Sequence, residues 1–167
     1  MARIYISLGS NIEAQRYIAE GLLALQAHFG RLRLSSVYES EAVGFNGTNF
    51  LNMVAVADTQ LDVAAVVALF KQIEQNHGRI VGAKKFSPRT LDLDLLLYDD
   101  LVCQSPVELP RAEIVKNAFV LQPLAEVAPE LVHPLARLSY RQLWQEYDKD
   151  AQKLWPVPFA WPAALYV

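Results

Sequence analysis

The sequence predicts an α+β fold, on three observations. Apolar stretches of strand character recur at four places, and two stretches between them carry apolar residues at helical spacing. Together they run β-α-β-β-α-β, the order of the split βαβ in a ferredoxin-like layer, where helices cover one face of an antiparallel sheet.

The elements follow in chain order. In "RIYISLG", Ile4, Ile6 and Leu8 alternate onto one face, a strand pattern that Gly9, Ser10 and Asn11 end. From Ala14 to Phe29, residues Ile18, Leu22, Leu25 and Phe29 fall at helical spacing, and Gly30 supplies a stop. "RLRLSSVYES" at 31–40 predicts a second strand and "NFLNMVAVAD" at 49–58 a third, joined by the glycine-containing loop "EAVGFNGT". Residues 61–77 place Val63, Val66, Val67, Phe70 and Ile73 on one helical stripe ended by Gly78. A polar, basic loop follows, "RIVGAKKFSPR", then the strand "TLDLDLLLY", after which Asp99 and Asp100 turn the chain toward "LVC". Beyond residue 104, "AFVLQPLAEVAP" predicts a short helix with Pro123 near its first turns and Pro129 at its end, and "YRQLWQEY" predicts another. The tail "LWPVPFAWPAALYV", rich in Pro and Trp, is expected to be irregular but packed onto the rest. No repeat, low-complexity tract or linker interrupts the chain, so 1–167 is expected to be a single domain.

Composition narrows the function. With 53% hydrophobic and 20% charged residues the chain is not a disordered one. A net charge of −3 gives no global electrostatic case for nucleic acid or a membrane surface. Cys103 is the only cysteine, so no intramolecular disulfide is possible, and within "LVC" it reads as a packed small hydrophobe. The apolar run at the N-terminus is too short for a secretion leader and no segment has the length of a membrane helix. A soluble cytoplasmic protein is expected.

Chemistry is concentrated in "SPRTLDLDLLLYDD" at 87–100. On a strand, Asp92 and Asp94 leave one face while Leu91, Leu93, Leu95 and Leu97 fill the other. Two like charges roughly 7 Å apart repel unless a cation lies by them, and magnesium, a hard ion often held by one or two carboxylates plus phosphates, suits the arrangement. By itself the pair fits better a solvated strand face whose acids meet Arg89 and nearby lysines. The preceding loop shifts the balance, because Arg79, Lys84, Lys85 and Arg89 supply four positive charges and no negative ones. A basic loop leading into an acidic strand suits a nucleoside triphosphate, whose charge metal and guanidinium neutralise together. No Walker glycine loop is present.

Phe50 and Asn52 lie at i and i+2 on one face of the third strand. Phe50 alone reads as core. An amide in an apolar strand costs stability without partners, and a carboxamide can both donate to and accept from a heterocycle's amide edge. Glu74, a turn after Phe70, could bind a ribose or an arginine, though a helix-surface ion pair is the plainer reading. His28, His77 and His133 have no mutual metal-ligand spacing and read as surface or helix-end residues.

Taken together, "YISLGSNI" (5–12), "SSVYES" (35–40), "FLNMVAV" (50–56), "IEQNHGR" (73–79), "SPRTLDLDLLLYDD" (87–100) and "AFVLQPLAEVAPELVHP" (118–134) resemble the 6-hydroxymethyl-7,8-dihydropterin pyrophosphokinases of folate biosynthesis. The resemblance implies a ferredoxin-like βαββαβ core with extra C-terminal helices, three layers αβα. It implies transfer of a pyrophosphoryl group from ATP to the pterin hydroxymethyl group, giving AMP. Asp92 and Asp94 would bind two magnesium ions and, with Arg79 and Arg89, carry catalysis. Asn52 would hydrogen-bond the pterin, Phe50 and Phe119 would sandwich it, and groups around Ser40 and Val43 would complete the pocket. Glu74, Arg79, Lys84, Lys85, Arg89, Leu95, Arg111 and Lys116 would serve the nucleotide, with 79–89 closing as a lid. The partners implied are ATP and a reduced pterin, without nucleic acid or membrane, and the chain is expected to be a monomer.

The chain also departs from the family pattern. Arg111 occupies the place of a usual His and Asn117 that of a usual Arg; Val81 and Phe86 replace a loop Arg and Trp, and "ESEAVG" lacks the customary prolines. These changes support an alternative, a pterin-binding homologue with weak or altered catalysis or another pterin substrate. A ferredoxin-like nucleic-acid module would interleave aromatic and basic residues on the sheet. The strands carry Asn52, Asp92 and Asp94 instead.

Overall fold

The structure is a computed structural model that describes residues 1–41, 49–78 and 90–165. Its core elements are β1 (Ala2–Ser10), α1 (Ala14–Phe29), β2 (Arg33–Leu34), β3 (Val37–Ser40), β4 (Phe50–Thr59), α2 (Val63–Asn76) and β5 (Asp92–Tyr98). The sheet runs β5-β1-β4-β3, with β2 also on β4 and every pairing antiparallel. This is the expected split βαβ arrangement. Local chemistry sets one end of each helix: the Asp62 carboxylate accepts the Ala65 N–H at 2.9 Å to cap α2, and α1 ends at Gly30, whose φ of 80° a side chain would resist.

The strand predicted over 31–40 is two strands. Leu34 pairs with Ala55 and Tyr38 with Asn52, so this side carries one residue more than β4, a β-bulge at the serine pair. Ser35 bridges the break. Its N–H donates to the Val54 carbonyl at 3.0 Å, and its Oγ accepts the Val54 N–H at 2.9 Å, a hydroxyl serving as a ladder acceptor.

Alternation divides the sheet into two faces. Ile4, Ile6 and Leu8 of β1, Met53 and Ala55 of β4, and Leu93 and Leu95 of β5 pack against Ile18, Leu22 and Leu25 of α1 and Val66, Phe70 and Ile73 of α2. The opposite face is covered by α3 (Glu113–Lys116), α4 (Ala118–Val127) and α5 (Tyr140–Glu146), with Val120, Leu121, Leu124 and Tyr140 packed on Tyr5, Val54, Val56, Leu96 and Leu97. A register shift lets consecutive Leu96 and Leu97 join this one core: Ile6 pairs with Leu95, but Tyr5 pairs with Leu97. The result is the three-layer αβα arrangement.

The tail corrects the expectation of irregularity. Leu154–Val157 forms β6, which pairs with β3 from Ser40↔Leu154 to Val37↔Val157. Pro and Trp masked the strand in the sequence, but Pro156 is tolerated on an edge strand, and β6 covers the ladder groups that β3 would otherwise leave open. Farther on, the tail lies on α1. Gln15 exchanges hydrogen bonds with the Ala160 backbone at 2.8 and 3.2 Å, and Phe159 and Leu165 pack on the α1/α2 core. Among the described residues no helix is long and apolar enough to cross a membrane.

Candidate active site

Strand register assembles the site. Asp92 lies opposite Gly9, Gly9 opposite Asn52, and Asn52 opposite Tyr38, so one row crosses β5, β1, β4 and β3. In the next row Asp94 lies opposite Ser7 and Ser7 opposite Val54. All of these project toward the α3–α5 side, since their neighbours in sequence fill the α1/α2 core. Two strand spacings separate the Asp92 and Asn52 backbones, about 10 Å.

Gly9 matters because it has no side chain. A Cβ there would stand 2.8 Å from Asn52 Oδ1, so the carboxamide occupies the space above the β1 backbone. Asn52 is only 6% exposed, and its Nδ2 donates to Ser40 Oγ at 3.4 Å. The amide predicted to need partners is therefore held between the glycine and a serine. Tyr38, next in the row on β3, donates its hydroxyl to Glu126 at 2.6 Å; burial and that carboxylate both push its ionisation up, so it stays a donor.

β5 is an edge strand, and its open side builds a cleft of about 290 Å³. Glu74, Asp92, Asp94, Leu95, Lys71 and Arg111 line it, with Val67, Phe70, Pro106 and Val107 as apolar wall. Glu74 is buried and accepts the Leu93 N–H at 2.7 Å, which corrects the helix-surface reading: the carboxylate satisfies an edge-strand donor. Arg111 is anchored to the same edge. Its N–H donates to the Leu96 carbonyl at 3.0 Å and its Nε to the Leu95 carbonyl at 3.1 Å, which leaves Nη2 at 3.9 Å from Asp94 Oδ1. With Asp94 half-exposed, that ion pair is worth at most about 1 kcal/mol and can yield to a more strongly charged ligand. Lys116 is exposed on α3 and does not line this cleft; its carbonyl accepts the Tyr147 hydroxyl at 2.8 Å.

A second cleft, of about 300 Å³, opens between β3 and α4, lined by Ser40, Glu41, Phe119 and residues 150–153. Phe50 lies opposite Ser40 in the ladder. Of the residues predicted to surround a pterin, Ser40 and Asn52 are in contact and Phe50 and Phe119 flank the same end of the sheet. Val43, Arg79, Lys84, Lys85 and Arg89 lie outside the described residues. A larger cavity, about 870 Å³, lies at the far ends of β1 and β4 beside Arg3, Arg33 and Trp161, and none of the predicted site residues lines it.

Sequence reasoning missed Lys71 and residues 150–153. Lys71 was legible, since it precedes Glu74 by three residues and so shares its helix face. The 150–153 segment carries no signal beyond polarity. His133 was misplaced as a surface residue: it is 6% exposed, and its Nδ1 accepts the Leu135 and Ala136 N–H groups at 3.1 and 3.0 Å. His28 and His77 do stand at the ends of α1 and α2.

No group of three or more metal-binding side chains occurs among the described residues, so the acid pair makes no closed cage. It fits instead a hard cation that keeps waters and takes phosphate oxygens. Asp94 is half-exposed, and Ser7 and Gly9, opposite the two acids, are small.

One face of the ferredoxin-like sheet thus carries two carboxylates and a carboxamide, between an arginine-bearing cleft and an aromatic one. The chain belongs to the 7,8-dihydro-6-hydroxymethylpterin-pyrophosphokinase (HPPK) family, whose model matches residues 5–129. It is 35% identical over 149 residues to the 2-amino-4-hydroxy-6-hydroxymethyldihydropteridine pyrophosphokinase of Aquifex aeolicus, covering 87% of this chain and 92% of the relative. The protein of the same name from Synechocystis is 37% identical over 158 residues, covering 91% and 78%. The fold matches the Plasmodium falciparum HPPK-DHPS crystal structure with a TM-score of 0.72 at 13% identity, across 90% of this chain but only 46% of that longer one.

Proposed function

We propose that the chain transfers pyrophosphate from ATP to the hydroxymethyl group of 6-hydroxymethyl-7,8-dihydropterin, releasing AMP, as a magnesium-dependent monomer of the cytoplasm. The observation that carries this is the row Asp92–Gly9–Asn52, which sets a metal-type acid and a heterocycle-type amide about 10 Å apart on one sheet, with Asp94 in the next row.

Asn52 holds the pterin edge, with Phe50 and Phe119 against its ring and Ser40 beside the amide. The hydroxymethyl oxygen then points along the row toward Asp92. That oxygen attacks the β-phosphorus, the bond from the β-phosphorus to the α,β-bridging oxygen breaks, AMP departs with that oxygen, and the hydroxyl proton passes to solvent. Asp92 and Asp94 would hold two magnesium ions, which when bound neutralise the phosphate oxygens. Arg111, fixed by β5 carbonyls beside Asp94, presents its outer nitrogens to the triphosphate, and Lys71 lies on the same cleft. Arg79, Lys84, Lys85 and Arg89 would add charge from the 79–89 segment, with Lys116 at the α3 end. Alignment and charge stabilisation supply most of the acceleration in such chemistry.

Incubation with ATP, magnesium and the reduced pterin should yield AMP and the pterin diphosphate. ADP as product, or ATP loss that ignores the pterin, would overturn the assignment. A second reading, a pterin-binding homologue of weak activity, draws on Asn117, whose carboxamide is engaged by Gln152 at 3.0 Å and brings no charge to the phosphates. It predicts pterin binding that ATP analogues do not strengthen.

A further inference from the structure

We propose that residues 147–157 form a strap that sets the width of the pterin cleft, with Gln152 as the residue that positions Phe119. The proposal rests on the pterin reading above and concerns a segment beyond the 5–129 stretch that matches the family.

The strap is bonded at both walls of the cleft. On the helical side the Tyr147 hydroxyl donates to the Lys116 carbonyl at 2.8 Å, at the junction of α3 and α4. Gln152 follows with two bonds: its Oε1 accepts the Ala118 N–H at 2.9 Å and its Nε2 donates to Asn117 Oδ1 at 3.0 Å. Two residues later the chain enters β6, and Leu154 pairs with Ser40. Residues 150–153 therefore span from the start of α4 to the end of β3, and they line the cleft that Phe119 and Ser40 bound.

Helix chemistry explains why Gln152 matters. The first N–H groups of a helix lack intrahelical partners. Asn117, at the N-cap of α4, makes no side-chain capping bond of its own. Gln152 supplies the missing acceptor from a distant part of the chain and holds Asn117 with its other end. The amide it secures belongs to the residue just before Phe119. Without it the first turn of α4 is free to fray, and the ring expected to lie on the pterin loses its fixed place on the wall of the cleft. The nucleotide cleft, on the outer edge of β5, shares no lining residue with the strap.

The test is steady-state kinetics of the full chain with both substrates varied. Gln152→Ala should raise the pterin KM about tenfold, as expected for losing one or two hydrogen bonds, and leave the ATP KM within about twofold. Gln152→Glu should rescue it to within about twofold of wild type, because the carboxylate still accepts the Ala118 N–H and Asn117 can turn its own NH₂ toward it. Tyr147→Phe, which loses only a hydroxyl, should raise the pterin KM about threefold and keeps the proposal testable if Gln152→Ala does not fold. An unchanged pterin KM, an equal rise for both substrates, or a Glu variant as impaired as Ala would overturn the strap while leaving the activity assignment standing. If the wild type binds pterin but makes no AMP, the activity assignment fails, and the same ranking of variants read as pterin Kd decides the strap. A wild type that binds no pterin overturns both.

Discussion

Gly9 and Asn52 show how far single residues can be read. The apolar setting of Asn52 flagged a bound amide, but the role of Gly9 depends on which residue lies across the ladder. Gly9→Ala would put a methyl 2.8 Å from Asn52 Oδ1 and swing the carboxamide away. The pterin KM should rise about tenfold, and overpacking should cost about 1–3 kcal/mol of stability, read as a lower Tm. A variant with unaltered pterin kinetics would remove Asn52 from the pterin site. The acids make the complementary case. Asp94→Ala should cut turnover by ~100-fold or more while preserving the fold, because the side chain is half-exposed and its pairing with Arg111 is weak. Near-normal turnover would show that the acid pair does not hold the reacting metal complex.

Elements were legible where their own residues decide them. α1 spans 14–29 as its stripe implies, and β5 contains both acids as its alternation implies. Elements decided by distant partners were not. β6 exists because β3 needs a neighbour, the β2/β3 break because Ser35 can serve as a ladder acceptor, and α3 is too short to show a period. Glu74 belongs to this class: on α2 it looked like a surface acid, yet it completes the open edge of β5. Glu74→Ala strands the Leu93 N–H and should cost about 1–3 kcal/mol, visible as faster amide exchange along β5 and a lower Tm. Equal exchange in both proteins would mean that the edge does not depend on this carboxylate.

For the molecule as a whole, the fold was nearly readable and the site only in part, because lining residues such as Lys71 and 150–153 are brought in by topology. Acid sensitivity is a property at this scale. His133 is buried beside Tyr140 and accepts two backbone N–H groups, and burial lowers its pKa from the ordinary 6.5. A lowered folded value means that its contribution is whole above pH 6.5 and drains away as pH falls through that lower value. Tm should decline over that window, and His133→Asn, which can still accept in a turn but does not titrate, should flatten the decline. Parallel pH profiles for the two proteins would rule His133 out as the source.

Because acid and amide are spaced by the hydrogen-bond lattice of three neighbouring strands, their separation tolerates no slippage. One residue inserted in the middle of β1 would turn Gly9 away from Asn52 and drive Leu8 into the gap above the sheet, undoing both halves of the site with no catalytic group altered. Length changes in this family should therefore collect in connecting loops and spare the first strand.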